Sequence, residues 1–124
     1  MKGGSYRLHI EINSDTEIQI GRLGTFQFPK GIYIYSGSAM RNLFPRLERY
    51  FKKDKPKKWH IDYLLASVHA NIIKVEFFPS EKREECLKNQ EILSLPGAWI
   101  PVIGFGSSDC SKCPAHLIAI KKYY

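Results

Sequence analysis

Residues 5–12 alternate strictly. Tyr6, Leu8, Ile10 and Ile12 fall on one side of an extended chain, and Arg7, His9 and Glu11 on the other. A period of two marks a half-buried strand, which commits the start of the chain to a sheet. Asn13-Ser14-Asp15 supplies turn chemistry, and Glu17–Ile20 resumes as a second strand. Gly21-Arg22-Leu23-Gly24 breaks it, 25–28 is a short extended piece, and Pro29-Lys30-Gly31 turns into a strand over 32–36.

The period then changes to that of a helix. Asn42 is placed to cap a helix from about Leu43, with Pro45 tolerated in the first turn. Leu43, Phe44, Leu47, Tyr50 and Phe51 form its apolar stripe. A second helix is expected over 58–68, burying Ile61, Leu64, Leu65 and Val68. Residues 72–78 read as a strand. A third helix is expected from Pro79-Ser80 to about Leu93, with Glu81 in its first turn. A strand and turn follow over 98–106, and a last short strand over 117–121. Strands first, then helices mixed with strands, predict an α+β fold. It should have a small central, mainly antiparallel sheet flanked by helices, an extra hairpin and a C-terminal extension. All 124 residues fit one domain.

No apolar run is long enough to span a bilayer, and the start of the chain does not read as a signal peptide. Three cysteines cannot all pair within one chain, so a reduced, cytoplasmic protein without membrane association is expected. The formal net charge is +7. Lys52, Lys53, Lys55, Lys57 and Lys58 cluster just after Arg41, Arg46 and Arg49. Such a cluster is the electrostatic footprint of a polyanion partner, and Arg41, Lys53, Lys55 and Lys57 are the candidate phosphate contacts.

Several residues have the chemistry for phosphoryl transfer. Tyr35 leads into the small residues Ser36-Gly37-Ser38-Ala39, which read as a turn where a phosphate could approach the backbone. A phenol there can orient or deprotonate an attacking water. Arg46 flanks the stripe of the first helix, about 100° from its centre, and a guanidinium grips phosphoryl oxygens with two donors. Arg49 falls nearly opposite the stripe and is expected to face solvent. His60, beside the stripe of the second helix, offers an acid or base near neutral pH. The third helix carries Glu81, Glu84, Glu85 and Glu91. One carboxylate with several waters suits magnesium. Separately, Cys110, Cys113 and His116 have Cys-x2-Cys-x2-His spacing, and Cys86 is a possible fourth ligand, a composition that suits structural zinc.

Three segments carry a resemblance: Tyr35-Ser36-Gly37-Ser38-Ala39 with the later Arg46; Trp59-His60-Ile61-Asp62-Tyr63-Leu64; and Gly104-Phe105-Gly106-Ser107-Ser108-Asp109-Cys110. Over nearly its whole length the chain resembles the GIY-YIG nuclease superfamily. Within it, the chain is similar to the small stand-alone Uri-superfamily endonucleases. The resemblance implies two tyrosines on neighbouring antiparallel strands, an arginine on the next helix, a histidine or tyrosine, and a glutamate metal ligand. The literal string Gly31-Ile32-Tyr33-Ile34-Tyr35 places Tyr33 and Tyr35 on one strand. The first tyrosine therefore maps to Tyr6 in Gly4-Ser5-Tyr6, and the second to Tyr35. Arg46 takes the arginine position, with Arg41 as the alternative. His60 takes the histidine position, with Tyr50 as the alternative. Glu85 is the preferred metal ligand, then Glu84, and Asp109 could approach the site. The implied activity is metal-dependent endonucleolytic hydrolysis with Mg2+ or Mn2+, on DNA in preference to RNA, in repair or recombination. A non-enzymatic nucleic-acid-binding module that retains the fold is the alternative, and a zinc-stabilised interaction protein a third.

Overall fold

A computed structural model describes residues 3–107 and 110–121. Strand β1 (Gly4–Ile12) pairs antiparallel with β4 (Gly31–Ala39) on one side and β5 (Ala70–Pro79) on the other. β7 (Leu117–Ile120) adds to β4, and β6 (Ala98–Trp99) closes that edge. The result is a five-stranded antiparallel sheet in the order β5-β1-β4-β7-β6. The extra hairpin is β2 (Thr16–Ile20) with β3 (Gly24–Phe28), joined by a 3-10 turn over Gly21–Leu23 and forming a separate two-stranded sheet. With helices α1 (Leu43–Tyr50), α2 (His60–Leu65) and α3 (Glu85–Leu93), the fold is α+β, as the order of periods implies.

The sheet is covered on both faces. Tyr6, Leu8, Ile10 and Ile12 share the main core with Leu43 and Tyr50 of α1 and with Ile61, Leu64 and Leu65 of α2. On the other face Ile34, Ile118 and Ile120 pack with Ile92 of α3. β1 is therefore not the half-buried strand its alternation suggests. Arg7 and His9 are buried as well, because charged partners come to them. The Arg7 guanidinium donates to Glu91 Oε1 at 2.6 Å and to the Lys88 carbonyl at 3.1 Å, and His9 Nε2 lies 2.6 Å from Glu76 Oε1.

Several local expectations are corrected. Ser36–Ala39 does not turn; it continues β4, with Gly37 opposite Tyr6 and Ser38 opposite Ser5. Asn42 precedes α1 but in a left-handed conformation (φ 54°) without a side-chain cap, a conformation asparagine tolerates better than most residues. Phe44 and Phe51 are exposed; Phe51 lies past the last helical residue, and the Phe44 ring lies 6.4 Å from that of Phe77 on the edge strand β5. Helix α2 ends at Leu65, which leaves Val68 78% exposed in the following turn. The third helix starts at Glu85 rather than Ser80, so Glu81 is not in its first turn.

Helix α2 begins at His60 because Asp62 completes its N-terminus. The fully buried Asp62 carboxylate accepts the N–H groups of Lys58 and Trp59 at 2.8 and 2.9 Å. Arg49 of α1 donates two hydrogen bonds to the same carboxylate, at 2.7 and 2.9 Å. It does not face solvent as the helical wheel suggests, because a buried carboxylate requires a charged partner. Burial pushes the Asp62 carboxyl up, but Arg49 and the two N–H groups together outweigh it and hold its pKa below the usual value.

Candidate active site

An open cleft of about 550 Å³ lies where α1, α2 and α3 converge on β1 and β4. Tyr6 of β1, Tyr35 of β4, Arg46 of α1, His60 of α2 and Glu85 of α3 all line it. Five elements thus deliver one residue each.

Tyr6 and Tyr35 stand on neighbouring antiparallel strands, Tyr6 opposite Gly37 and Tyr35 opposite Leu8, so both project to the same face. Tyr33 shares that face, but its hydroxyl donates to the Pro29 carbonyl at 2.6 Å and it does not line the cleft. The Tyr6 and Tyr50 hydroxyls are hydrogen-bonded to each other at 2.5 Å. Gly37 makes that position possible: a Cβ there would sit 2.6 Å from the Tyr6 hydroxyl oxygen. Burial raises the pKa of Tyr6, and also of Tyr35 and Tyr50. All three phenols are therefore neutral at physiological pH. In that state each can donate or accept a hydrogen bond.

Arg46 is held from two sides. Its Nη1 donates to the Ser38 carbonyl at 2.8 Å, and its guanidinium lies over the Trp59 ring at 4.9 Å. Arg49 and Lys58 also lie against that ring, each at 4.8 Å. Trp59 is thus an aromatic mount that orders the cations around it.

Glu85 is fixed by a directional chain. Ser38 Oγ donates to Glu85 Oε2 at 2.6 Å. Having used its proton, Ser38 accepts from Ser5 Oγ at 3.0 Å, and Ser5 in turn accepts the Glu84 N–H at 3.1 Å. Glu85 Oε1 is left without a hydrogen-bond partner among the described residues. A carboxylate with one anchored and one open oxygen fits a hard divalent cation that keeps most of its waters.

Nδ1 of His60 accepts the Gly106 N–H at 2.9 Å, and its ring packs on Phe105 at 5.7 Å. Burial lowers its pKa.

Beside the cleft, one candidate ligand atom from each of Cys86, Cys110, Cys113 and His116 falls within 4.8 Å of the others, a group able to hold a metal ion. Cys86 and Cys113 sulfurs sit at disulfide distance, 2.26 Å, where reduced thiols are expected from the sequence. Cys110 Sγ lies 3.5 Å from Cys86 Sγ. Among the described residues His116 Nε2 is buried with no hydrogen-bond partner.

The basic segment is more structural than its composition implies. Lys53 Nζ donates to the carbonyls of Leu65, Ser67 and Ala70, closing the corner between α2 and β5. Lys55 Nζ donates to the Lys52 carbonyl, Lys57 lies 6.0 Å from the Tyr63 ring, and Arg41 is exposed away from the cleft lining. Arg22, Lys58 and Tyr63 line the cleft without having been singled out for it. Arg22 arrives with the hairpin turn, and Gly21 sits close to the Tyr63 ring, where a Cβ would be 3.2 Å away. Only the packing of the hairpin on α2 places them there. Asp109 lies outside the described residues. Among those described, no helix is long and apolar enough to cross a membrane.

No curated protein and no solved structure matches the chain. A family model matches residues 5–124, and on that match the chain belongs to the family described as Domain of unknown function DUF123.

Proposed function

We propose that this protein is a metal-dependent endonuclease of the GIY-YIG type that hydrolyses phosphodiester bonds in DNA. The observation that carries the reading is the convergence of Tyr6, Tyr35, Arg46, His60 and Glu85 on one open, polar cleft. Chain order alone does not bring five elements to one point. In the reaction, water oxygen bonds to phosphorus as the ester P–O bond breaks, leaving a phosphate monoester and a hydroxyl. Glu85, with its open oxygen, would hold Mg2+ or Mn2+. When bound, such an ion lowers the pKa of coordinated water and offsets charge on the phosphoryl oxygens. Arg46, immobilised by Ser38 and Trp59, meets the charge that develops on phosphorus oxygens, where a preorganised donor acts most strongly. The neutral Tyr6–Tyr50 pair and Tyr35 orient the attacking water and the phosphate.

For the second cluster we propose structural zinc, bound when Cys86, Cys110 and Cys113 are thiolates, with His116 as fourth ligand. Support comes from the donor set and from the unpartnered His116 Nε2. Metal content of protein purified under reducing conditions should approach one zinc per chain; zinc-free, folded protein would reject this site.

The activity is tested with labelled duplex and branched DNA, and the RNA equivalents, in Mg2+ or Mn2+. Wild type should nick DNA only with metal. Glu85→Gln should lose cleavage while Glu84→Gln keeps it. If wild type binds these substrates and cuts none of them, the nucleic-acid-binding module becomes the better reading.

A further inference from the structure

His60 stands where an acid–base residue is expected, but its hydrogen bonding favours a different role. The Gly106 N–H points at Nδ1. A backbone N–H only donates, so Nδ1 must present a lone pair. The neutral ring then carries its proton on Nε2. That nitrogen has no hydrogen-bond partner among the described residues, on a ring that lines the cleft.

We infer that His60 is a fixed Nε2–H donor to a phosphate oxygen in the cleft, and neither gains nor loses a proton during turnover. This role rests on the phosphodiesterase reading above. To act as a base, His60 would need its lone pair on Nε2 and its proton on Nδ1, which would turn that proton against the Gly106 N–H. To act as an acid it would first have to be doubly protonated, with the same collision. The backbone around Gly106 is tied down: the His116 N–H donates to the Phe105 carbonyl at 2.7 Å, and the Ser107 N–H to the Gly104 carbonyl at 3.3 Å. The ring is also wedged against Phe105. Burial opposes the imidazolium further. Charged groups on the same cleft are Arg22, Arg46, Lys58 and Glu85, three cations and one anion. Together with Arg46 the site therefore offers a phosphate two donors of fixed direction, one charged and one neutral.

Two measurements test this. Long-range 15N–1H correlation spectra of the imidazole, recorded on the wild-type protein at pH 7.5, should show a protonated Nε2 and a bare Nδ1. An Nδ1–H tautomer, or rapid exchange between the two, overturns the inference whether or not the protein cuts nucleic acid. In cleavage assays, His60→Gln places a non-titrating amide N–H near the Nε2 position. It should keep activity within about tenfold of wild type, with an unchanged acid limb of the pH profile, whereas His60→Ala should fall by about 10²-fold. An acid limb that disappears in His60→Gln, or a glutamine variant as inactive as alanine, also overturns it. A wild-type protein that cuts nothing rejects the nuclease reading, and the phosphate donor with it, even if the spectra show Nε2–H.

Discussion

Strand β1 sends polar side chains to both faces of the sheet. On one face Arg7 and His9 meet Glu91 and Glu76, within hydrogen-bonding distance, under α3 and β5. On the other, Tyr6 passes its hydroxyl to Tyr50 beside an open cleft where Arg46, His60 and Glu85 keep unused donors or acceptors. Both faces carry an arginine, a histidine and a glutamate. In the first, charges are matched within the fold, so their work is done once the chain has folded. In the second, the same chemical types are anchored at one end and left open at the other. Residue type therefore does not separate the two clusters; unspent capacity that opens on a cleft does, since Arg7 Nε, also without a hydrogen-bond partner among the described residues, is sealed in the interior.

The sharpest way to break this comparison is to remove the arginine from each face. Arg46→Ala should lower metal-dependent cleavage by about 10²–10³-fold with little change in melting temperature, and Arg46→Lys should recover only part, because a point charge lacks the planar fork. Arg7→Ala should leave turnover per folded molecule unchanged while costing about 1–3 kcal/mol of stability. Denaturant melts and single-turnover cleavage of both variants decide the matter. If Arg7→Ala inactivates without destabilising, the two faces do not divide as described. Arg49→Ala is not a neutral control for Arg46, since it strands the buried Asp62.

A smaller effect is expected at Gly37. Gly37→Ala forces a Cβ to within 2.6 Å of the Tyr6 hydroxyl oxygen. The tyrosine must move off Tyr50, and overpacking of this kind costs about 1–3 kcal/mol. Cleavage should drop at least about tenfold, as expected when about 1.4 kcal/mol of positioning is lost. A variant with full activity would remove Tyr6 from the proposed mechanism.

Least pronounced is a pH effect that the two faces share. Burial lowers the pKa of His9, against the opposing pull of Glu76 and with help from Lys74 and Arg7, and burial also lowers that of His60. Above the unfolded value of 6.5 both rings are neutral in either state, so their contribution to stability is fully present. As pH falls below it, the unfolded chain takes up protons that the folded chain refuses, and stability declines toward the folded values. Urea midpoints measured from pH 8 to pH 5 should fall below about pH 6.5, and His9→Asn with His60→Gln should flatten the decline. A midpoint that rises on acidification contradicts both assignments.

The sheet, the extra hairpin and the two tyrosine strands were legible because period and turn chemistry are local properties. Tyr6, Tyr35 and Arg46 were named by laying the resemblance onto strand pairing and helical phase, both of which are local properties. Where the lysine amines sit was not legible for a physical reason. A long side chain can turn back onto carbonyls, as Lys53 does, and composition carries no trace of that. Arg49 misled in a similar way: a helical wheel shows the face of its own helix but not a buried carboxylate brought by another. Arg22, Lys58 and Tyr63 enter the cleft through tertiary packing, and the role of His60 depends on a backbone N–H 46 residues away.

The Asp62 carboxylate joins two helices through four hydrogen bonds, two from Arg49 of α1 and two from the backbone that opens α2. Arg46 lies one turn before Arg49, and His60 follows Trp59 directly. The two donors of the proposed site are therefore coupled through one buried carboxylate. Free energies of substitution at Arg49 and Asp62 will not add, since either change releases the same coupling. A residue with no access to solvent thus ties together the two elements that carry Arg46 and His60, and on the proposed reading Asp62→Asn should slow cleavage without touching the cleft.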